Sequence, residues 1–348
     1  MSELDIKKDV CMVGLDTSAP CYYRVMMPAM RLKCDWVGIQ GYPPKLHWTT
    51  GDVGGDSKLP DFIDDYKIVV LQQPAGESWE KMITALQEHG KKVVFEIDDY
   101  LHDIKKREDH GFQQSYDARA LVLYERCMRM CDAVICSTDF IARKYKKFNE
   151  NIYVCRNGID LNRYKLTRPA RDTINIGWAG ATGHQKAIMP WLNQIYALMN
   201  SHEELCFISI GAPMAEALSP TYGEERAIKI PWTAIEQYPA AMTMFDIALA
   251  PAGSGGWYRG KSDLRWLEAA ALGIPIIANP KVYPEIEHGV TGFHAVGPHE
   301  MVESLMGLIG DKTLRETVGQ QAKEYVEEHR SMDLMTEQWA DAFRAIAG

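Results

Sequence analysis

The chain has 348 residues, 46% hydrophobic and 24% charged, with Lys+Arg 38 against Asp+Glu 47 and a net charge of −9; a single core stops growing at roughly 250–300 residues, so two domains are expected. The acidic balance argues against a protein built wholly around a polyanion, and apolar runs such as Ile274–Ala278 fall far short of the ~20 residues of a membrane span. The start MSELDIKKDV lacks the apolar core of an export signal, and eight cysteines without a regular framework read as reduced thiols of a cytoplasmic protein.

Val10–Leu15, Lys67–Gln72, Lys92–Ile97 and Ala133–Ser137 are continuous apolar runs, the pattern of parallel strands covered on both faces. Ser78–His89, stopped by Gly90, and Gln113–Met130, apolar along one side, read as helices between them. That alternation predicts a parallel sheet with right-handed crossovers. Thr167–Asp172 is polar, contains Pro169 and has no periodicity, so it reads as an inter-domain linker. The rhythm then restarts with strands at Ile174–Ala179, Leu205–Ile210, Ile247–Ala250 and Ile274–Ala278, and a helix at Lys261–Leu272 that Gly273 ends. The tail Ser331–Ile346 puts Trp339, Phe343 and Ile346 on one helical face, which needs a surface to cover. Residues 1–166 carry 24 basic and 25 acidic side chains and the remainder 14 and 22, with eight of the basic ones between Phe140 and Arg168. That cluster is a candidate positive patch.

Open parallel sheets take ligands outside the carboxyl ends of their strands. After Pro251, the loop Gly253, Ser254, Gly255 and Gly256 lets backbone approach a ligand closely, and Arg259, Lys261 and Ser262 follow where the next helix starts. Backbone N–H groups, a helix start and two cations together suit a diphosphate. Glu268 lies two turns along the same face, where a carboxylate can accept hydrogen bonds from a ribose diol. The bland alternative is a flexible loop and a solvated glutamate, against which Leu267, Ala269 and Ala270 argue. In GWAGATGHQKA, Gly180 and Gly183 permit a tight approach and His184 and Lys186 can reach phosphates, although a loop histidine is as often simply solvated. In the first half, Asp98 and Asp99 end a strand. Paired acids there suit a hard cation, an acceptor hydroxyl or a helix cap. Ser18, Tyr22, Tyr23 and Arg24 follow the first strand, and Arg24 is the strongest candidate there because a guanidinium clamps phosphate in two places. Cys127, Cys131 and Cys136 lack the spacing of a zinc site and sit among Met128, Met130 and Ile135, so they read as packing.

The stretch GKSDLRWLEAAALGIPIIANPKVYPEIEHGVTGF, from Gly260 to Phe293, resembles the donor-binding region of glycosyltransferases of the GT-B fold, closest to family four. VCRNGID, Val154–Asp160, and IGWAG, Ile176–Gly180, are similar to further signatures of that family, and the resemblance spans nearly all of residues 90–348. It implies an α/β protein of two Rossmann-like, doubly wound domains facing a cleft. An acceptor-binding domain would occupy residues 1–166, a donor-binding domain 173–330, and a helix at 331–348 would cross back onto the first. It implies a nucleoside diphosphate sugar, commonly a UDP-sugar, as co-substrate, with no metal or other cofactor. Transfer would retain anomeric configuration, with same-face attack assisted by the departing phosphate. Arg259, Lys261, Asp98 and Asp99 are then the candidates nearest the chemistry, and Glu268, Ser262, Gly180, His184, Lys186, Gly255, Gly256 and Arg24 those that hold the donor. One departure stands out: many members carry two glutamates separated by seven residues, and here the second is Glu268 while the first position is Gly260. That leaves open which group contacts the donor sugar.

Three readings remain for what the donor meets. One acceptor is a hydroxymethylated base in DNA, as in bacteriophage relatives with similar YYR and EIDD stretches, the base flipping out of the duplex and the Phe140–Arg168 patch meeting phosphates. Another is a lipid-linked or polysaccharide acceptor, with that patch and Phe140, Ile141, Tyr145 and Phe148 against an anionic membrane. The third is a nucleotide-sugar binding protein without turnover, with Gly260 as its best argument.

Overall fold

The computed structural model describes residues 4–16, 18–38, 64–106, 118–253 and 255–348. In the first half, β1 (Val10–Gly14), β2 (Asp35–Gly38), β3 (Ile68–Gln72), β4 (Lys92–Ile97), β5 (Ala133–Cys136) and β6 (Ile152–Val154) form one sheet of order β2-β1-β3-β4-β5-β6. In the second, β7 (Ile174–Gly180), β8 (Leu205–Gly211), β9 (Ala227–Ile230), β10 (Ile247–Ala250), β11 (Ile276–Ala278) and β12 (Phe293–His294) form another of order β12-β11-β10-β7-β8-β9. Every pairing within both is parallel. β1, β3, β5 and β10 are buried along their whole length, as continuous Val, Ile and Leu runs require. Chain direction across each sheet reverses once, between β1 and β3 and between β7 and β10. Those switch points open crevices at the strands' carboxyl ends.

The connecting helices follow their apolar stripes. Glu77–Glu88 buries Met82, Ile83 and Leu86, and the chain turns away at Gly90 with φ +74. The helix expected from Gln113 is described from Ala118 to Met130, residues 113–117 lying outside the described residues. The helix expected over Lys261–Leu272 runs from Leu264 to Ala271, because Lys261 is extended with ψ 144, and a further short helix, Gly256–Gly260, precedes it. That break frees the Lys261 and Ser262 side chains from a helical surface. In the stretch read as the inter-domain linker, Arg168 and Arg171 both pair with Asp246 on the second half.

The tail forms a helix, Met332–Ala347, whose buried face carries Met335, Trp339, Phe343 and Ile346. It packs on the first-half helix Met27–Leu32, and Ser331 bridges to Ile159 at its start. Among the described residues no helix is long and apolar enough to cross a membrane. All eight cysteines are buried and unpaired, and among the described residues no cluster of three His, Cys, Asp or Glu is placed to hold a metal.

Candidate active site

A cavity of about 230 Å³ lies where the two sheets present their carboxyl ends to each other. From the first half it is lined by Ala19, Pro20 and Tyr23 after β1 and by Asp98 and Asp99 after β4. From the second it is lined by His184 after β7, by Pro251 and Ala252 after β10, and by Lys261, Ser262, Leu264 and Arg265. The ends of β1, β4, β7 and β10 thus converge on one volume. Ligand sites more often enclose about 300–1,000 Å³, and this cavity is narrower because side chains from opposite walls bond to one another.

The first such bond is the ion pair of Lys261 with Asp99, at 2.7 Å. Lys261 also lies over the Trp257 ring, 4.2 Å from its centroid. The Asp98 carboxylate, accepting from Gln73 Nε2 at 2.8 Å, is pushed up to about 6 by burial and by the neighbouring Asp99 charge, which outweigh Lys261. A second bond joins Tyr23 to Glu268: the Tyr23 hydroxyl donates to Glu268 Oε1 at 2.7 Å. Glu268 is 5% exposed, and burial pushes its carboxyl up to about 7 against the opposing pull of Tyr23 and of the Arg265 and Arg163 charges. A third contact caps the short helix Gly256–Gly260, whose Trp257 N–H donates to Asp103 at 3.2 Å. Gly255 and Gly256 are needed for this approach, since added Cβ atoms would stand 3.2 and 3.0 Å from the Asp103 carboxylate.

Gly260, at the position of the missing glutamate, has a steric explanation. A Cβ there would meet Tyr100 Cβ at 2.8 Å and Tyr100 N at 3.2 Å, so the first half's backbone occupies the space of a side chain.

Of the groups singled out from the sequence, Lys261, Ser262, His184, Asp98 and Asp99 meet at the cavity. His184 packs 5.0 Å from the Trp257 ring. Glu268 stands behind the cavity, held by Tyr23. Gly180 lies close to Arg265, whose Nη2 would be 3.1 Å from an added Cβ. Lys186 is exposed on the helix Gln185–Ser201 and does not line the cavity.

Three expectations are corrected. Arg24 does not clamp a phosphate in the cleft: it is 0% exposed, donating to Glu96 at 2.7 Å, to the Cys155 carbonyl at 2.6 Å and to Asn157 Oδ1 at 2.8 Å, with Trp339 stacked 4.8 Å away. Arg259 does not face the cavity but lies exposed over Phe140, 4.9 Å from its ring, because the short helix turns it outward. Phe140, Ile141, Tyr145 and Phe148 are buried and offer no apolar surface to a membrane. Ser18 bonds Asp16 and Tyr22 lies under Arg163, both away from the cavity, and Ser254 lies outside the described residues.

Three contributors were not anticipated. Arg265 lines the cavity beside Lys261, and the same 3.6-residue period that selected Glu268 places Arg265 one turn before it. Asn157, within the VCRNGID signature, also lines it. Asp103, which caps the short helix, carries no local pattern that would have marked it; the 71% exposed Trp232 lies next to Gly211 at the carboxyl end of β8, outside the cavity lining.

No family model and no curated protein matches the chain. Solved structures do, over nearly its whole length. The Anabaena protein HepE in complex with UDP is 15% identical with a TM-score of 0.66, covering 97% of this chain and 100% of that one. A glycosyltransferase from Rickettsia africae is 14% identical with a TM-score of 0.67, covering 97% and 98%. Sucrose-phosphate synthase from Thermosynechococcus elongatus is 13% identical with a TM-score of 0.68, covering 97% and 98%. At such identities the likeness is one of fold, and the fold is the two-sheet GT-B architecture that these structures share.

Proposed function

We propose that the chain is a glycosyltransferase that takes a UDP-sugar between its two sheets and passes the sugar to an acceptor hydroxyl. The observation that carries this reading is the meeting of Lys261, Ser262 and Arg265 from one half with Asp98 and Asp99 from the other around one cavity. The two cations suit a leaving diphosphate, whose negative charge grows in the transition state and is best met by groups already in place. Lys261 exchanges Asp99 for phosphate as the donor enters. Glu268 exchanges the Tyr23 hydroxyl for the ribose diol, and the exposed Trp232 offers a stacking face to the base. Uridine is supported by the complexes of HepE with UDP and UDP-glucose.

With retention, the acceptor oxygen forms its bond to the anomeric carbon on the face from which the phosphate oxygen leaves. The acceptor's proton passes to that phosphate oxygen. Asp98 orients the hydroxyl, and closure of the cleft keeps water from taking its place. The acceptor we favour is a hydroxymethylated base in DNA. Arg129, Arg143, Lys144, Lys146 and Lys147 are exposed together at the end of the helix Ala118–Met130 and along Asp139–Tyr145 and its exit. With the neighbouring aromatics buried, this ridge is a surface for phosphates rather than for lipid tails.

A thermal-shift screen of nucleotide sugars tests the donor first, since a ligand at 100 times its Kd adds about 2.7 kcal/mol. UDP release is then measured with hydroxymethylated duplex, unmodified duplex and anionic vesicles carrying a polyprenol phosphate. Release stimulated only by the modified duplex supports the reading. Stimulation by the vesicles replaces the acceptor, and tight binding without release on any acceptor marks a binding protein.

A further inference from the structure

We infer that Asn157 is a positioning residue that sets the spacing between the two walls of the cleft. Its side chain is 4% exposed, in the stretch between β6 and the tail helix's docking site. Its Oδ1 accepts from Arg24 Nη1 at 2.8 Å, its Nδ2 donates to Ser262 Oγ at 2.9 Å, and its backbone carbonyl accepts from Arg330 Nη2 at 3.0 Å. The amide is oriented unambiguously, because a flip would set its NH2 against a guanidinium, two donors face to face.

Each of the two arginines ends in a carboxylate on a different half. Arg24 reaches Glu96, on β4 two residues before Asp98, at 2.7 Å. Arg330, 4% exposed, grips both oxygens of Asp263, at 2.5 and 3.0 Å, and Asp263 opens the helix that carries Arg265 and Glu268. A buried polar chain therefore runs Glu96–Arg24–Asn157–Arg330–Asp263 from the acidic wall to the cationic wall, with Asn157 at its midpoint and a second link to Ser262. Such an arrangement is poor economy as a source of stability. Arg24 Nη2 and Glu96 Oε2 are buried without hydrogen-bond partners among the described residues, and a desolvated ion pair returns little net gain. What it supplies is geometry: Asp98 and Ser262 cannot change separation without breaking a bond at Asn157.

The consequence for donor binding rests on the function proposed above; the spacing role does not. The test therefore uses two readouts. Spin labels at Met30→Cys and Met306→Cys, exposed sites on opposite halves of a protein whose own cysteines are all buried, report the distance between halves. UDP titration reports the site. Asn157→Ala is expected to lengthen and broaden the distance distribution and to weaken UDP by about three- to tenfold, the range of one or two lost hydrogen bonds. Ser262→Ala, which removes one hydroxyl from a partly buried side chain and leaves the fold intact if Asn157→Ala does not, is expected to change the distance distribution in the same direction to a smaller degree. In the double variant the distance distribution is expected to be no wider than in Asn157→Ala. Unchanged distance distributions in both single variants, or additive changes of distance in the double, overturn the inference. A parent that binds no nucleoside diphosphate but whose halves drift apart in both variants overturns the proposed function and leaves the spacing role standing.

Discussion

Arg265 lines the cavity beside Lys261, on the helix that also carries Glu268. Sequence spacing put Lys261, Ser262 and Glu268 on one short stretch, and Arg265 stands between two of the residues already chosen. With Lys261 paired to Asp99 at 2.7 Å, Arg265 is the cation expected to meet an entering diphosphate first. Arg265→Ala is expected to weaken UDP binding about 10- to 100-fold, as loss of a charge-assisted hydrogen bond does, with calorimetric titration as the check. The error at Arg24 has a different cause. A guanidinium that suits phosphate suits a buried carboxylate equally well, and sequence carries no sign of which partner it meets. Gly260 belongs at this scale too. Because Tyr100 occupies the space its side chain would need, Gly260→Glu is expected to force the walls apart and to lower stability by about 1–3 kcal/mol, the range of overpacking, seen in denaturant unfolding. Glu268 gives a pH signature. Its carboxyl is raised to about 7 by burial, so ribose binding to the ionised form is expected to strengthen as pH rises from about 6 to 8. In Glu268→Gln that component is expected to vanish, which separates it from titration of the diphosphate itself.

Elements were legible where burial was complete. β1, β3, β4, β5, β7, β8, β10 and β11 appear in the sequence as apolar runs because helices cover both of their faces. β2, β6, β9 and β12 are short and only partly buried, and their mixed composition resembles loop. The tail helix was legible from its stripe of Trp339, Phe343 and Ile346, but its contact with a buried arginine was not. Trp339 is 0% exposed and lies beneath Arg24, so Trp339→Ala removes both core volume and the stack. It is expected to cost about 3–5 kcal/mol, read as a lower denaturant midpoint.

At the scale of the whole molecule, two sheets meet through a cleft that their own side chains hold narrow. Glu96 is pushed up to about 8 by burial despite Arg24, and Glu268 to about 7, both from an ordinary 4.5. Between those values the native state binds more protons than the unfolded chain, so stability falls as pH rises through this window. Thermal midpoints are expected to decline from about pH 5 to pH 8, and Glu268→Gln to flatten the decline. The central claim concerns what replaces these internal contacts when the cleft is filled. A crystal structure of the protein with UDP tests it most directly. The account predicts the diphosphate against Lys261, Ser262 and Arg265, the ribose on Glu268, and Asp99 and Tyr23 released from their present partners. A nucleotide bound elsewhere, with the Lys261–Asp99 and Tyr23–Glu268 contacts intact, would contradict it.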